Sequence, residues 1–145
     1  MRPWRPGSRR RAEASLSEHP HATIARAAWQ AVSRGDVEGL ERMFAEDVVW
    51  HATARTPWRG THRGRRAVLD FLARIGESME VFDARLDDLL ASESRVSMLF
   101  HISARSKGRA LEADYQLLAR IDAGSVAEIW TTTLDPDALE AFFGA

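Results

Sequence analysis

The first half of the chain has apolar residues at helical spacing. Ile24, Ala27, Ala28, Ala31 and Val32 recur every three or four positions, which predicts a helix over 21–34 that ends at Gly35. Asp36 is placed to cap a short second helix whose apolar stripe continues to Phe44. The pattern then predicts a strand from Val48 to Ala52, a loop over 53–62 and a third helix over about 64–76.

From residue 79 the period changes from helical to alternating. Four strands are predicted, over 79–90, 94–105, 109–122 and 125–133, and Asp135-Pro136 begins a last helix. Each strand has one apolar face and one mixed face. The order of elements predicts an α+β fold in which N-terminal helices cover one face of a curved, mainly antiparallel sheet. Because three short helices cannot fill the concavity of such a sheet, we expect a cavity there.

Composition limits the class of protein. The chain has 145 residues, of which 45% are hydrophobic and 28% charged, typical of one globular domain. No run approaches the roughly 18 apolar residues of a membrane span, so we expect no membrane partner. The chain has no cysteine. Disulfides and thiolate chemistry are therefore excluded, and a cytoplasmic location is favoured.

Charge is unevenly distributed. The first eleven residues contain five arginines and no acidic residue, and removing those five from the 20 basic residues leaves 15 against 21 acidic ones, a net charge of −6. A body this acidic is a poor partner for nucleic acid, whose binding depends on neutralising phosphates. We expect residues 1–19 to be a disordered arginine-rich extension, or the product of an upstream start codon, and residues 20–145 to form the domain.

Several short motifs resemble one superfamily. The chain is similar to the nuclear transport factor 2-like fold and, within it, to the SnoaL-like group related to ketosteroid isomerases and polyketide cyclases. The resemblance extends over about residues 20–143 and rests on Trp29-Gln30-Ala31, Gly35-Asp36, Leu40, Phe44-Ala45-Glu46-Asp47-Val48, Gly60, Gly64-Arg65-Arg66-Ala67-Val68, Phe71, Gly124, Val126, Glu128, Trp130 and Asp135.

The resemblance implies a cone-shaped barrel with a pocket between the helices and the concave face of the sheet. It also implies a small hydrophobic ligand, chemistry without a cofactor, and homodimers formed through the convex face. On this basis we expect the pocket to be lined by Trp29, Trp50, Trp58, Phe71, Phe100 and Tyr115.

Two activities of the superfamily do not fit the residues present. A ketosteroid isomerase needs a carboxylate base, a tyrosine and a protonated aspartate. The resemblance places Ala52 where the base would be, Ala28 where the tyrosine would be, and the second acid near Leu117. An epoxide hydrolase of the limonene type needs an Asp-Arg-Asp set with tyrosine and asparagine. Here Trp50 and Ala52 take the places of the last two, and Thr132 that of one acid.

A cyclase or dehydratase stays open, because such members use varied combinations of histidine, aspartate and tyrosine. The candidate catalytic residues are His51, His101 and Asp114, with Tyr115 as a donor to a ligand oxygen. Since side chains alternate along a strand, only one of Trp50 and His51 can face the pocket, and the resemblance favours Trp50. On the same argument Asp114 lies opposite the apolar face, which favours a solvated or dimer-facing role.

A cluster of arginines precedes the third helix. Its members, placed near the expected pocket mouth, either hold an anionic group or form an exposed loop: Arg55, Arg59, Arg63, Arg65 and Arg66. The histidines lack metal-ligand spacing, so we expect no metal. Two hypotheses remain, a cofactor-free acid–base enzyme acting on a hydrophobic carbonyl compound and a non-catalytic binding or dimerisation module. Catalysis requires an ionisable group on the pocket wall, and this requirement separates the two.

Overall fold

A computed structural model describes residues 18–144. The extension predicted over residues 1–19 lies outside the described residues except for Glu18 and His19, and both of these make hydrogen bonds to the first helix. The elements in chain order are α1 (Pro20–Arg34), α2 (Val37–Met43), β1 (Phe44–Ala52), β2 (Gly60–Arg63), α3 (Arg65–Glu77), β3 (Val81–Ala91), β4 (Arg95–Ser106), β5 (Arg109–Asp122), β6 (Ser125–Thr133) and α4 (Pro136–Phe143).

The six strands form one curved sheet in the order β2-β1-β6-β5-β4-β3. Every neighbouring pair is antiparallel except β1 and β6, which run parallel. The predicted α+β fold with a mainly antiparallel sheet is therefore confirmed. The sheet stays open between its edge strands β2 and β3, so it is a half-barrel around the helices rather than a closed one.

The region before the third helix differs from its prediction in two places. β1 begins at Phe44, because Phe44 already pairs with Val126 of β6 ahead of a register shift. The predicted loop over 53–62 contains the start of β2, in which His62 pairs with Trp50. This four-residue edge strand has no apolar alternation, so its pairing with β1 leaves no hydrophobic signal in the sequence.

The core lies between the concave face of the sheet and the helices. Val48 of β1, Val68 of α3 and Val96 of β4 are completely buried there. A second cluster forms where α4 packs on β5, with Leu139 also completely buried. Among the described residues, no helix is long and apolar enough to span a membrane.

Glycine ends α1. Gly35 has φ +67, the left-handed conformation, and its N–H binds the carbonyl oxygen of Val32. The turn permits Asp36 to cap α2, with its carboxylate accepting from the N–H of Gly39 at 3.0 Å. The conformation of one residue thus sets the angle between the two helices that cover the sheet.

We expect opposite effects from two glycine substitutions. Gly35→Ala should lower the free energy of unfolding by about 1 kcal/mol, because alanine is strained at positive φ. Gly76→Ala lies within α3, where an added Cβ meets no atom within 4 Å, and should raise it by about 0.5–1 kcal/mol through helix propensity. Urea unfolding followed by circular dichroism measures both. Destabilisation by Gly76→Ala would contradict the packing described.

Candidate functional site

A cavity of about 630 Å³ lies between the concave face of the sheet and the helices. All six aromatic residues expected to line a pocket are on its wall: Trp29, Trp50, Trp58, Phe71, Phe100 and Tyr115. α1 contributes small residues on this side, including Ala25 and Ala28. Because these side chains are short, space remains between α1 and the concave face of the sheet.

Aromatic contacts fix the shape of the wall. The rings of Trp50 and Phe71 meet edge-on with centroids 5.4 Å apart. Phe100 lies between Trp29, at 5.1 Å, and the stacked ring of Tyr115, at 5.4 Å. Such pairs stabilise each other beyond the area they bury. The aromatic part of the cavity wall is thus held by ring-to-ring contacts, and the rest of the wall is mainly aliphatic.

One buried hydrogen bond orients Trp50. Its indole Nε1–H donates to Oγ1 of Thr131 on β6, at 3.1 Å. Thr131 is the one polar residue that is buried within residues 18–144. The carbonyl oxygen of Thr131 accepts from both the N–H and the hydroxyl of Thr53. Sequence analysis did not identify Thr131, which in hindsight shares the inward face of β6 with Ile129 by simple alternation.

Tyr115 is the titratable residue set into the middle of the apolar wall. Burial raises the pKa of its hydroxyl to about 12, so the group is protonated at neutral pH. It makes no hydrogen bond to any described residue. No enclosed side-chain oxygen or nitrogen in this part of the chain lacks a partner. The hydroxyl is therefore open to the space that its ring lines.

His51 lies on the opposite, outer face of the sheet. Its Nε2 is 2.7 Å from Oε2 of Glu128, and its ring stacks on Trp130 with centroids 5.4 Å apart. The hydrogen bond from His51 lowers the pKa of the Glu128 carboxyl, with a smaller contribution from Arg120. The His51 imidazole therefore belongs to a network of surface side chains that includes Glu128, Trp130 and Arg120.

His101 and Asp114 also lie on the outer face. The imidazole is held by two carboxylates, with Nδ1 2.8 Å from Asp114 and Nε2 2.8 Å from Glu112. The hydrogen bond to Glu112 raises the pKa of His101 most, and the hydrogen bond to Asp114 raises it further. In turn, the hydrogen bonds from His101 and Ser103 lower the pKa of the Glu112 carboxyl. The arrangement favours the imidazolium form.

The three residues considered for catalysis therefore do not line the cavity. The reason is the alternation of side chains: the inward positions of β1, β4 and β5 next to them hold Trp50, Phe100 and Tyr115. A mechanism in which His51, His101 or Asp114 acts on a ligand inside the cavity does not fit this placement. Each of the three is instead paired on the far side of the sheet.

His62 lies near the cavity and was not a candidate in the sequence analysis. It pairs with Trp50 across β1 and β2, which places it on the same side of the sheet as the cavity. Its ring stacks on Phe71 with centroids 4.2 Å apart. Nε2 lies 2.9 Å from the carbonyl oxygen of Trp58, which can only accept, so Nε2 carries the proton. Phe71 lines the cavity and His62 does not.

The arginine cluster does not contribute to the cavity wall either. Arg65 donates from Nε and Nη2 to the carbonyl oxygen of Phe44 and so ties α3 to β1. The other four members are exposed: Arg55, Arg59, Arg63 and Arg66. The exposed-loop alternative therefore describes them better than an anion site at the pocket.

The cavity opens through an apolar rim. Val32, Val37 and Phe82 line it while being 40%, 53% and 40% exposed. Glu77 and Asp83 also belong to the lining, and both are exposed residues. The pairing of Asp83 with Ser103 places the Asp83 side chain on the outer face of the sheet. Among the described residues no lysine or arginine lines the wall. The same part of the chain has no cluster of three or more possible metal ligands.

Curated relatives give no activity. An uncharacterised protein of Mycobacterium tuberculosis is 25% identical over 133 residues, and the match covers 88% of this chain and 99% of the relative. A protein of Mycobacterium bovis, also uncharacterised, matches with the same identity and coverage. The likeness extends over almost the entire length of both proteins.

Solved structures share the fold. Bal32a, from a soil-derived mobile gene cassette, is 26% identical with a TM-score of 0.81, covering 86% of this chain and 96% of Bal32a. An NTF2-like protein of Burkholderia xenovorans is also 26% identical, with a TM-score of 0.75 and coverage of 86% and 95%. IdmH, a candidate polyketide cyclase of Streptomyces antibioticus, is 22% identical with a TM-score of 0.70 and coverage of 88% and 100%. This last likeness is one of fold alone.

The sequence profile of the SnoaL-like domain family matches residues 25–129, well over half of the chain. That range includes α1 from Ala25, all the strands that surround the cavity except the end of β6, and the α3 helix that closes it. The chain belongs to the SnoaL-like domain family of the NTF2-like superfamily.

Proposed function

We propose that this chain is a small-molecule-binding domain that encloses a hydrophobic ligand in the cavity, without acid–base chemistry by His51, His101 or Asp114. The observation that carries the proposal is the cavity itself. At about 630 Å³, it lies within the range of roughly 300–1,000 Å³ that ligand pockets occupy. Its wall is mainly apolar and aromatic, with few polar side chains.

The wall favours binding over catalysis. A proton transfer next to a carbonyl needs a base within hydrogen-bond reach of the reacting carbon. The acidic residues of the lining, Glu77 and Asp83, are both exposed, and the side chain of Asp83 lies on the outer face of the sheet. The tyrosine deeper inside remains protonated near neutral pH. A cyclase or dehydratase would need a further group to enter the cavity when a ligand binds.

A cavity-filling substitution tests the site. Met98 is buried on the wall, so Met98→Trp should weaken binding of the uncharged fluorescent probe N-phenylnaphthylamine about 10-fold or more, equivalent to at least about 1.4 kcal/mol. Leu90→Trp is the matched control, because Leu90 is 64% exposed and outside the wall. It should bind the probe within about twofold of the wild type. Equal affinities of the two variants would contradict the proposal.

A second test asks whether the outer face of the sheet contributes to the ligand site. The triple variant His51→Gln, His101→Gln, Asp114→Asn removes three titratable side chains from that face. Since all three lie across the sheet from the cavity, it should bind the probe with an affinity within about twofold of the wild type. Fluorescence titration measures the affinity, and circular dichroism confirms folding. A loss of 10-fold or more with the fold intact would mean that the outer face contributes to the site.

We also propose that the outer face joins two copies of the chain. Trp130 supports this proposal: it stacks on His51, is adjacent to Leu118 in register and is only half-buried, as an interface anchor would be. Leu99 on the same face is 37% exposed.

The expected cytoplasmic location stays a prediction, which fractionation of the native cells would test.

Sedimentation velocity checks the dimer. The wild type should sediment as a dimer at micromolar concentration. Trp130→Arg should sediment as a monomer, because it removes the aromatic anchor and leaves a charge in the middle of the proposed interface. Glu41→Arg, on the exposed surface of α2 across the sheet, should remain dimeric. A monomeric wild type at tens of micromolar would refute the homodimer.

A further inference from the structure

His101 is bound on both sides by groups that accept hydrogen bonds and cannot donate them. Its Nδ1 lies 2.8 Å from Oδ1 of Asp114, and its Nε2 lies 2.8 Å from Oε1 of Glu112. An ionised carboxylate has no proton to give, and a neutral imidazole has a single N–H. Only the imidazolium, with an N–H on each nitrogen, satisfies both contacts at once. The arrangement therefore requires a protonated ring.

His51, also on the outer face, has no such requirement. Its Nε2 lies 2.7 Å from Oε2 of Glu128, and its Nδ1 lies 3.3 Å from Oγ1 of Thr61. Because a hydroxyl can donate as well as accept, a neutral ring can donate to Glu128 and accept from Thr61. Loss of a proton thus leaves both contacts of His51 in place, whereas it breaks one of the two contacts of His101.

The charges around His101 come from the two strands that flank β4. On β3, Arg85 is opposite His101 in register, and its Nε donates to Oδ1 of Asp87 at 2.7 Å. The attraction of Arg85 to the two carboxylates of β5 is weaker than this pairing. The β5 carboxylates therefore have His101 as their main cationic partner. The charged residues of the outer face around the ring are Asp83, Arg85 and Asp87 from β3, and Glu112 and Asp114 from β5.

The contacts of His101 link its proton to the stability of the fold. The pKa of the ring is raised by hydrogen bonds, first to Glu112 and then to Asp114. A histidine whose pKa is raised by folding contributes stability below its unfolded-state pKa, and this contribution is lost as the pH rises through the folded-state pKa. The side chains of Glu112 and Asp114 are 66% and 54% exposed, so solvent screens the contacts and the contribution is modest.

We propose that His101 is a pH-dependent clasp on the outer face of the sheet. As the imidazolium, it ties Glu112 and Asp114 of β5 to β4. When its proton passes to the solvent, one of these carboxylates loses its partner, and the outer face becomes more negative by one charge per chain. The clasp lies on the face proposed to join two copies, but it depends neither on the dimer nor on a ligand in the cavity.

NMR of the imidazole nitrogens tests the clasp in the wild-type protein. At about pH 6.5, where an unstructured histidine is about half protonated, both nitrogens of His101 should be protonated in most molecules. The double variant Glu112→Gln, Asp114→Asn should lower the pH at the midpoint of this titration. A ring of His101 that is mostly neutral at this pH, or a midpoint unchanged in the double variant, would overturn the proposal.

Urea unfolding at about pH 6 and about pH 9 measures the effect on the fold. Between these pH values the unfolding constant should rise about threefold more in the wild type than in His101→Gln, as expected for partly exposed ion pairs. His51→Gln is the matched control, because it removes an imidazole from the same face and should keep the pH dependence of the wild type. Equal pH dependence in the wild type and His101→Gln, or its loss in His51→Gln, would contradict the clasp.

Discussion

The two-residue alternation of side chains along the strands is the constraint on which the rest of this structure depends. It directs Trp50, Phe100 and Tyr115 to the concave face and their neighbours His51, His101 and Asp114 to the outer one. A shift of one residue in register would exchange these two sets and place charges in the core. The apolar character of the cavity and the charge of the outer face are thus two results of one pattern.

The cavity exists because the helices supply too little volume to fill the curve of the sheet. Alanines face the sheet from α1, and the aromatic side chains of the wall pack against one another. A single buried hydrogen bond, from Trp50 to Thr131, fixes the ring nearest the parallel strand pair. Polar side chains on the wall are few.

Much of this could be predicted from the sequence because it depends on local periodicity. The helices, the four long strands and the α+β class follow from spacing. Spacing also shows that only one of Trp50 and His51 can face the pocket, and the resemblance to the family selects Trp50. β2 could not be predicted, since Gly60–Arg63 has no apolar pattern and forms a strand through its pairing with β1. The bond between Trp50 and Thr131 joins residues 81 positions apart. The contact of Arg65 with the Phe44 carbonyl oxygen depends likewise on tertiary structure.

The central claim is that ligands enter the apolar cavity and not the charged outer face. A crystal structure of the protein with N-phenylnaphthylamine tests it most directly. The account predicts electron density for the naphthalene rings between Trp29, Trp50 and Phe100, which line the cavity. Density for the compound beside His51 or His101, with the cavity empty, would contradict it.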